Sequence, residues 1–325
     1  MSTSTADPTP TRLEHFPITF FAVVMGLTGL SLAVHAAEQA FGWPLGISEK
    51  LYYIAFGIFG LITLGFLLKL VRYPGAVAAE WNHPVKLAFF PAISISLLLL
   101  ATASLGHAPL LAEELWALGA ALQAVLTIAV VTGWIGSRAF QHGHLSPAWF
   151  IPAVGNVIVP VAGVPLGYVD LSWYFMSVGL VFWVVLLTLV FNRLVFHDPL
   201  PGRLQPTLVI LIAPPAVAYV AWIRLVGEIG PVPMILLNTA YFFTLVVAVQ
   251  LPRIIRLPFA LSFWALSFPF AAVTIASFAH ANLTGQQGYK LIGAGLLAVL
   301  VVIIGALVLR TVRAMVAGQI CQPEG

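Results

Sequence analysis

The chain has 325 residues, of which 61% are hydrophobic and only 8% charged, with a formal net charge of +3 and a mean hydropathy of +1.02. A soluble domain carries about 25% charged residues, so a water-facing globular fold is excluded and lipid must be the solvent for most of this surface. The small, scattered positive charge gives no sign of a nucleic-acid partner, and a single cysteine, Cys321, excludes an intrachain disulfide and a cysteine metal cluster.

Residues 1–15, MSTSTADPTPTRLEH, are polar and rich in Ser, Thr and Pro, which predicts a disordered tail. They lack the basic region and cleavage site of a secretory signal, so the first apolar run is expected to stay as a membrane helix. Apolar stretches follow at about 16–37, 50–71, 87–106, 111–137, 147–167, 171–195, 205–226, 231–251, 258–280 and 288–311. Each can cross a hydrocarbon core about 30 Å thick. Several of the short connections hold interface aromatics, among them Trp43, Tyr73, Trp81, Trp149 and Trp173. The predicted organisation is an all-α polytopic membrane protein with a ten-helix domain over 16–312 and a second short tail over 313–325.

Ten spans place both termini on one side. That side then holds Arg12, Lys69, Arg72, Lys86, Arg138, Arg193, Arg203, Arg253, Arg256, Arg310 and Arg313, and the other holds Lys50, Arg224 and Lys290. Eleven against three predicts cytoplasmic termini.

Proline is sorted by helix parity. Odd-numbered spans carry it internally, at Pro91 in the third, Pro152 and Pro160 in the fifth, Pro214 and Pro215 in the seventh and Pro269 in the ninth; the first has Pro17 at its entrance. Even-numbered spans are free of internal proline, the eighth having Pro231 and Pro233 only at its start. An internal proline removes an N–H donor and displaces the carbonyl four residues earlier. Lipid cannot satisfy such groups, so broken helices belong inside protein or against a water-filled cavity. The pattern predicts five helical hairpins around a central pore, with kinked odd helices inside and smooth even helices outside. Half-helix ends at the breaks would present partly positive N–H groups to anions.

Many small and hydroxylated residues also fall on odd spans: Gly26, Thr28, Gly29, Ser31, Ser94, Ser96, Gly155, Asn156, Ser262, Ser267, Thr274 and Ser277. The candidate pore positions are Pro91, Pro160, Pro214 and Pro269 as kinks, with Ser94, Asn156 and Ser267 as lining polar groups. No Asp, Glu, Lys or Arg lies near the centre of any span, which argues against a proton relay or a cation site. The histidines sit at span ends, in loops or in the tail, without the mid-membrane pair that haem ligation needs. Nucleotide loops, HExxH and nucleophile constellations are absent. The sequence therefore predicts no enzyme, no metal site and no cofactor. Lys86, Arg203 and Arg256, with Arg138, are candidates for raising anion concentration at a cytoplasmic mouth.

Four stretches then occur in a telling order: FPITFFAVVMGLTGLSLA in the first span, HPVKLAFF entering the third, LPGRLQPTLVILIAPPAVAYVA leading through the seventh, and SFWALSFPFAA in the ninth. Over residues 14–315 the chain resembles the SLAC/TehA family: plant slow anion channels, bacterial tellurite-resistance TehA proteins, and fungal malate and sulfite transporters. The resemblance implies ten helices in five hairpins, kinked odd helices around a pore, and conduction of monovalent anions such as chloride and nitrate. It further implies a homotrimer in the bacterial inner membrane. A phenylalanine on the ninth helix plugs the pore in that family, and matching the stretch residue by residue places it at Phe268, with Phe89 or Phe90 as a second aromatic.

At 100° per residue, Leu261, Trp264, Ala265, Ala271, Ala272 and Ile275 share the side of Phe268, whereas Phe259, Phe263 and Phe270 lie opposite. The leading expectation is an anion channel gated by Phe268. The alternative is a carrier or exporter of C4-dicarboxylates such as malate, of sulfite or of tellurite. A third class is a structural or accessory subunit.

Overall fold

The computed structural model describes residues 12–136 and 140–322. Most of the predicted N-terminal tail, and Arg138 of the basic side, lie outside them. Regular structure among the described residues is entirely helical, in twelve α-helices. They are α1 (Phe21–Phe41), α2 (Ile47–Arg72), α3 (Pro74–Asn82), α4 (Ala92–Ser104), α5 (Pro109–Gly136), α6 (Phe150–Val154), α7 (Val159–Gly163), α8 (Val169–Phe196), α9 (Ala213–Val226), α10 (Pro231–Ile254), α11 (Ser267–Thr284) and α12 (Gln287–Val316). Nine helical segments among the described residues are long and apolar enough to span a membrane, and the fifth predicted span is the shorter apolar stretch Pro147–Gly163.

The proline parity of the sequence reappears as a difference in winding. Every odd-numbered segment contains 3-10 helix on its N-terminal side: Ile18–Phe20 before α1, Lys86–Phe89 before α4, Pro147–Trp149 before α6 and Gly155–Ile158 before α7, Gly202–Ile212 before α9, and Leu261–Leu266 before α11. The even-numbered spans, formed by α2, α5, α8, α10 and α12, are uninterrupted, and α10 carries Pro252 in its last turn.

The odd segments tighten rather than break. At the junctions Phe20 (φ −59°, ψ −28°), Ile212 (φ −73°, ψ −38°) and Leu266 (φ −73°, ψ −31°) all keep right-handed helical geometry. In place of the open breaks expected, the chain stays helical at these junctions, with i→i+3 turns leading into the α-helical turns that hold Pro214, Pro215 and Pro269.

Burial separates the same two sets. Within the most apolar 18-residue window, 67% to 83% of residues are buried in the first, third, seventh and ninth segments, against 22% to 33% in the even ones. Each outer helix packs on its inner hairpin partner: α2 on α1, α5 on α4, α8 on α6 and α7, α10 on α9, and α12 on α11. The inner segments form a closed ring in chain order, α1 on α4, α4 on α7, α7 on α9, α9 on α11, and α11 back on α1. The last contact is close because α1 presents glycine there. A Cβ built on Gly26 would lie 2.3 Å from Ser267 Oγ, and one on Gly29 would lie 2.9 Å from Ala271 Cβ.

The ends of the chain are tied to this scaffold. Arg12–His15 form turns, and the Phe16 N–H donates to the Leu13 carbonyl at 3.2 Å. Helix α3, in the connection between the second and third spans, brings Glu80 within 2.9 Å of Lys69, a lysine only 1% exposed. Lys69 Nζ also donates to the Phe16 carbonyl at 2.9 Å. Beyond α12 the chain turns back so that Gly318 approaches the Arg12 guanidinium. Cys321 is half-buried there, and burial pushes its thiol above the usual range.

Candidate functional site

Two cavities lie along the axis of the inner ring. The wider has a volume of about 950 Å³ and opens among the C-terminal halves of the odd segments, lined by residues such as Ser31, His35, Glu38, Thr102, Val220, Arg224 and Asn282. The narrower, about 70 Å³, lies among their N-terminal halves and is walled by apolar side chains from all five inner segments, including Met25, Phe89, Phe150, Pro214 and Trp264. Three residues line both: Ile158, Val217 and Phe268. They come from the fifth, seventh and ninth segments and form an apolar partition between the cavities.

Phe268 is only 8% exposed and its ring stands beside α1, where a Cβ on Gly29 would be 3.4 Å from Cδ2. Of the four phenylalanines between 258 and 271, it is the one on a cavity wall. The Phe259 and Phe263 rings lie tilted against each other, with the Arg310 guanidinium 5.4 Å and 5.1 Å from their ring centroids. Phe270 is buried in the core. Along α11 the cavity face continues through Ala272, Ile275 and Ala279, small or medium side chains that leave the ring unscreened.

The two candidate aromatics of the third segment separate cleanly. Phe89 lines the narrow cavity. Phe90 points to the outer layer, with its ring centroid 4.9 Å from that of Trp81 and 6.3 Å from that of Phe66, both edge-on. Among the proline candidates, Pro214 and Pro269 line the narrow cavity. Pro91 precedes α4 and Pro160 opens α7, each in the wall without bordering either cavity.

The polar candidates face away from the axis. Ser94 Oγ lies 2.8 Å from the Pro91 carbonyl and 2.6 Å from Gln123 Oε1 on α5. Asn156 Nδ2 donates to the Ala153 carbonyl at 2.7 Å and to Thr127 Oγ1 at 3.0 Å. Ser267 Oγ donates to the Trp264 carbonyl at 2.6 Å. The cause is local: a hydroxyl or amide three or four residues along a helix reaches back to a carbonyl that the altered winding exposes. Gln123 and Thr127, on an outer helix, complete this buried network through the Pro152 carbonyl at 3.0 and 2.8 Å.

The basic candidates Lys86, Arg203 and Arg256 sit at the narrow-cavity end without lining either cavity. Lys86 opens the 3-10 turn Lys86–Phe89, half-buried, and its backbone N–H donates to His83 Nδ1 at 3.3 Å. Arg203 and Arg256 are exposed, and the Arg203 carbonyl accepts from Ser262 Oγ at 2.6 Å.

Sequence reasoning missed Ile158 and Val217, which carry no signal distinguishing them from other core aliphatics, and it missed the polar character of the wide cavity. Glu38 on that wall accepts from the Ile47 N–H at 2.8 Å, the Ser48 N–H at 3.3 Å and the Ser48 hydroxyl at 2.5 Å. It thereby caps the N-terminus of α2, where such a charge is favourable. His280, placed by the sequence near a span end, is 2% exposed and shares a 2.8 Å hydrogen bond with the Tyr219 hydroxyl. Among the described residues no group of three His, Cys, Asp or Glu is placed to hold a metal ion.

A barrel of five hairpins with two axial cavities and one apolar partition is the geometry of a membrane conduit. The family model described as the voltage-dependent anion channel, SLAC1, matches residues 15–312. The chain belongs to this SLAC1 family. It is 27% identical over 309 residues to a tellurite resistance protein TehA homolog of Haemophilus influenzae, covering 93% of this chain and 92% of that protein. It is 26% identical over 294 residues to an uncharacterized transporter of Methanocaldococcus jannaschii, covering 82% and 83% respectively. It is also 26% identical over 310 residues to the S-type anion channel SLAH3 of Arabidopsis thaliana, covering 92% of this chain but 48% of that longer channel. As a SLAC1-family protein the chain is an anion channel or transporter of the membrane and not an enzyme.

Proposed function

We propose that this chain is an anion channel whose central passage is closed by the Phe268 ring. Small monovalent anions, chloride and nitrate among them, would pass through the inner ring down their electrochemical gradient. The observation that carries this reading is the position of Phe268 as the aromatic side chain bordering both the wide and the narrow cavity. An apolar constriction of this kind stops ions by dewetting and by steric closure. The anion-channel names borne by plant relatives support the substrate class.

In this reading Phe89 supplies a second aromatic below the partition, and Ile158 and Val217 form a collar around the ring. Ten spans would leave both termini in the cytoplasm, the side of the basic residues gathered at the narrow-cavity end, where Lys86, Arg203 and Arg256 would raise anion concentration. The assembly would be a homotrimer in a bacterial inner membrane.

Currents through Phe268→Ala in oocytes or planar bilayers test the proposal. The expected result is a much larger current whose reversal potential follows the chloride or nitrate gradient. Unchanged currents from a well-expressed variant would sink the gate. Saturable uptake that follows an imposed pH gradient would instead favour a carrier of organic acids, sulfite or tellurite, and no flux from purified protein in liposomes would favour an accessory role.

A further inference from the structure

The wide cavity is far more polar than the narrow one, and its fixed charges are few. Among the described residues only one Lys or Arg lines it, Arg224 in the last turn of α9. Lys50 and Lys290, the other basic residues assigned to this end by the sequence, do not line it, and Lys290 Nζ sits 4.4 Å from the Phe41 ring centroid. Arg224 is exposed and makes no hydrogen bond or ion pair with any described residue.

Two carboxylates share the wall. Glu38 is held by its three donors at the start of α2, so its charge is answered locally by the helix N-terminus. Glu49 is exposed and accepts from the Tyr53 hydroxyl at 3.3 Å. Both carboxylates belong to the first hairpin, whereas α9 is not a ring neighbour of α1. Val220, also on the wall, lies one helical turn before Arg224, and Val217 of the partition lies two turns before it. A 1.5 Å rise per residue therefore puts the guanidinium-bearing residue about 10 Å along the helix axis from the Val217 level.

We infer that Arg224 is the anion-capture residue of the wide vestibule, concentrating small monovalent anions at the partition before they cross it. The inference rests on reading the chain as an anion conduit closed at Phe268. An unpaired cation at the rim of a cleft with low-dielectric walls raises the local concentration of counter-ions. Its effect falls with salt, because the Debye length shrinks from about 30 Å at 0.01 M to about 3 Å at 1 M.

The test measures single-channel conductance in symmetric sodium nitrate from 0.02 to 1 M, comparing Phe268→Ala with Phe268→Ala combined with Arg224→Gln or Arg224→Lys. The expected result is a loss of roughly threefold for the Gln variant at the lowest salt, vanishing near 1 M, with Lys retaining most of the conductance. The loss should be greater for anions entering from the wide-cavity side. A Gln variant that conducts like its parent at every salt concentration overturns the inference and leaves the gate reading intact, as does a loss equal at all salt concentrations, which marks a structural defect. A parent Phe268→Ala variant that carries no anion current overturns both.

Discussion

The inner and outer segments of this molecule are all strongly apolar and have opposite fates. The first and ninth segments are each 78% buried over their most apolar window and the third is 83% buried, while the second and last are 22% buried. All are apolar enough to lie in lipid, so hydrophobicity alone does not choose between the layers. The distinction lies in the backbone. Proline-bearing segments wind partly as 3-10 helix, with poorer hydrogen-bond geometry and exposed carbonyls that lipid cannot satisfy. Surrounding helices and the hydroxyls of Ser94, Asn156-type amides and Ser267 can satisfy them, and so these segments close the ring. The smooth helices bear the lipid contact.

The sharpest way to break that comparison is at the partition. Phe268→Ala should raise anion current by roughly tenfold or more, because an apolar barrier blocks by excluding water. Phe270→Ala, its buried neighbour on the same helix, should instead cost about 3–5 kcal/mol of stability without opening the passage. Current recordings paired with thermal unfolding in detergent separate the two, and equal currents would show that the two rings are not functionally distinct.

The next effect tests an outer helix that behaves like an inner one. Lys69 on α2 is buried against Glu80, and Lys69→Met should destabilise by about 3–5 kcal/mol by stranding the carboxylate. The double replacement with Glu80→Leu should recover much of this loss, read from unfolding midpoints. A smaller effect is expected where α1 meets α11. Gly26→Ala forces a methyl against Ser267 and should cost about 1–3 kcal/mol, whereas Gly60→Ala on α2, with nothing within 4 Å, should be neutral or stabilising by up to about 1 kcal/mol. Matching shifts for the two glycines would remove the contrast between the layers.

Within the site, Gln123→Leu provides the mildest test. It removes a side chain within hydrogen-bond distance of Ser94 and the Pro152 carbonyl. The expected cost is about 1–3 kcal/mol with unaltered anion selectivity. A changed chloride-to-nitrate permeability ratio would place this network in the conduction path.

Much of the architecture was legible because its causes are local. Apolar runs gave the spans, proline parity gave the inner and outer layers, and the ninth span's angular distribution separated Phe268 from Phe259, Phe263 and Phe270. The fifth span was legible as apolar but not as two short helices joined by 3-10 turns, because proline positions do not state how the backbone will absorb them. Ser94, Asn156 and Ser267 were read as lumen groups since residue type reveals polarity but not direction. In the fold the nearest exposed carbonyls capture them.

The sequence by itself determined that the chain lives in lipid, alternates disturbed and smooth helices, and carries no charge at the centre of its spans, since all three follow from composition and periodicity. Tertiary structure alone decided that Ile158 and Val217 join Phe268 in the partition, that Phe89 and not Phe90 borders the narrow cavity, and that Arg224 stands in the wide cavity unpaired among the described residues. These residues come from different hairpins, and only closure of the inner ring brings them to one axis.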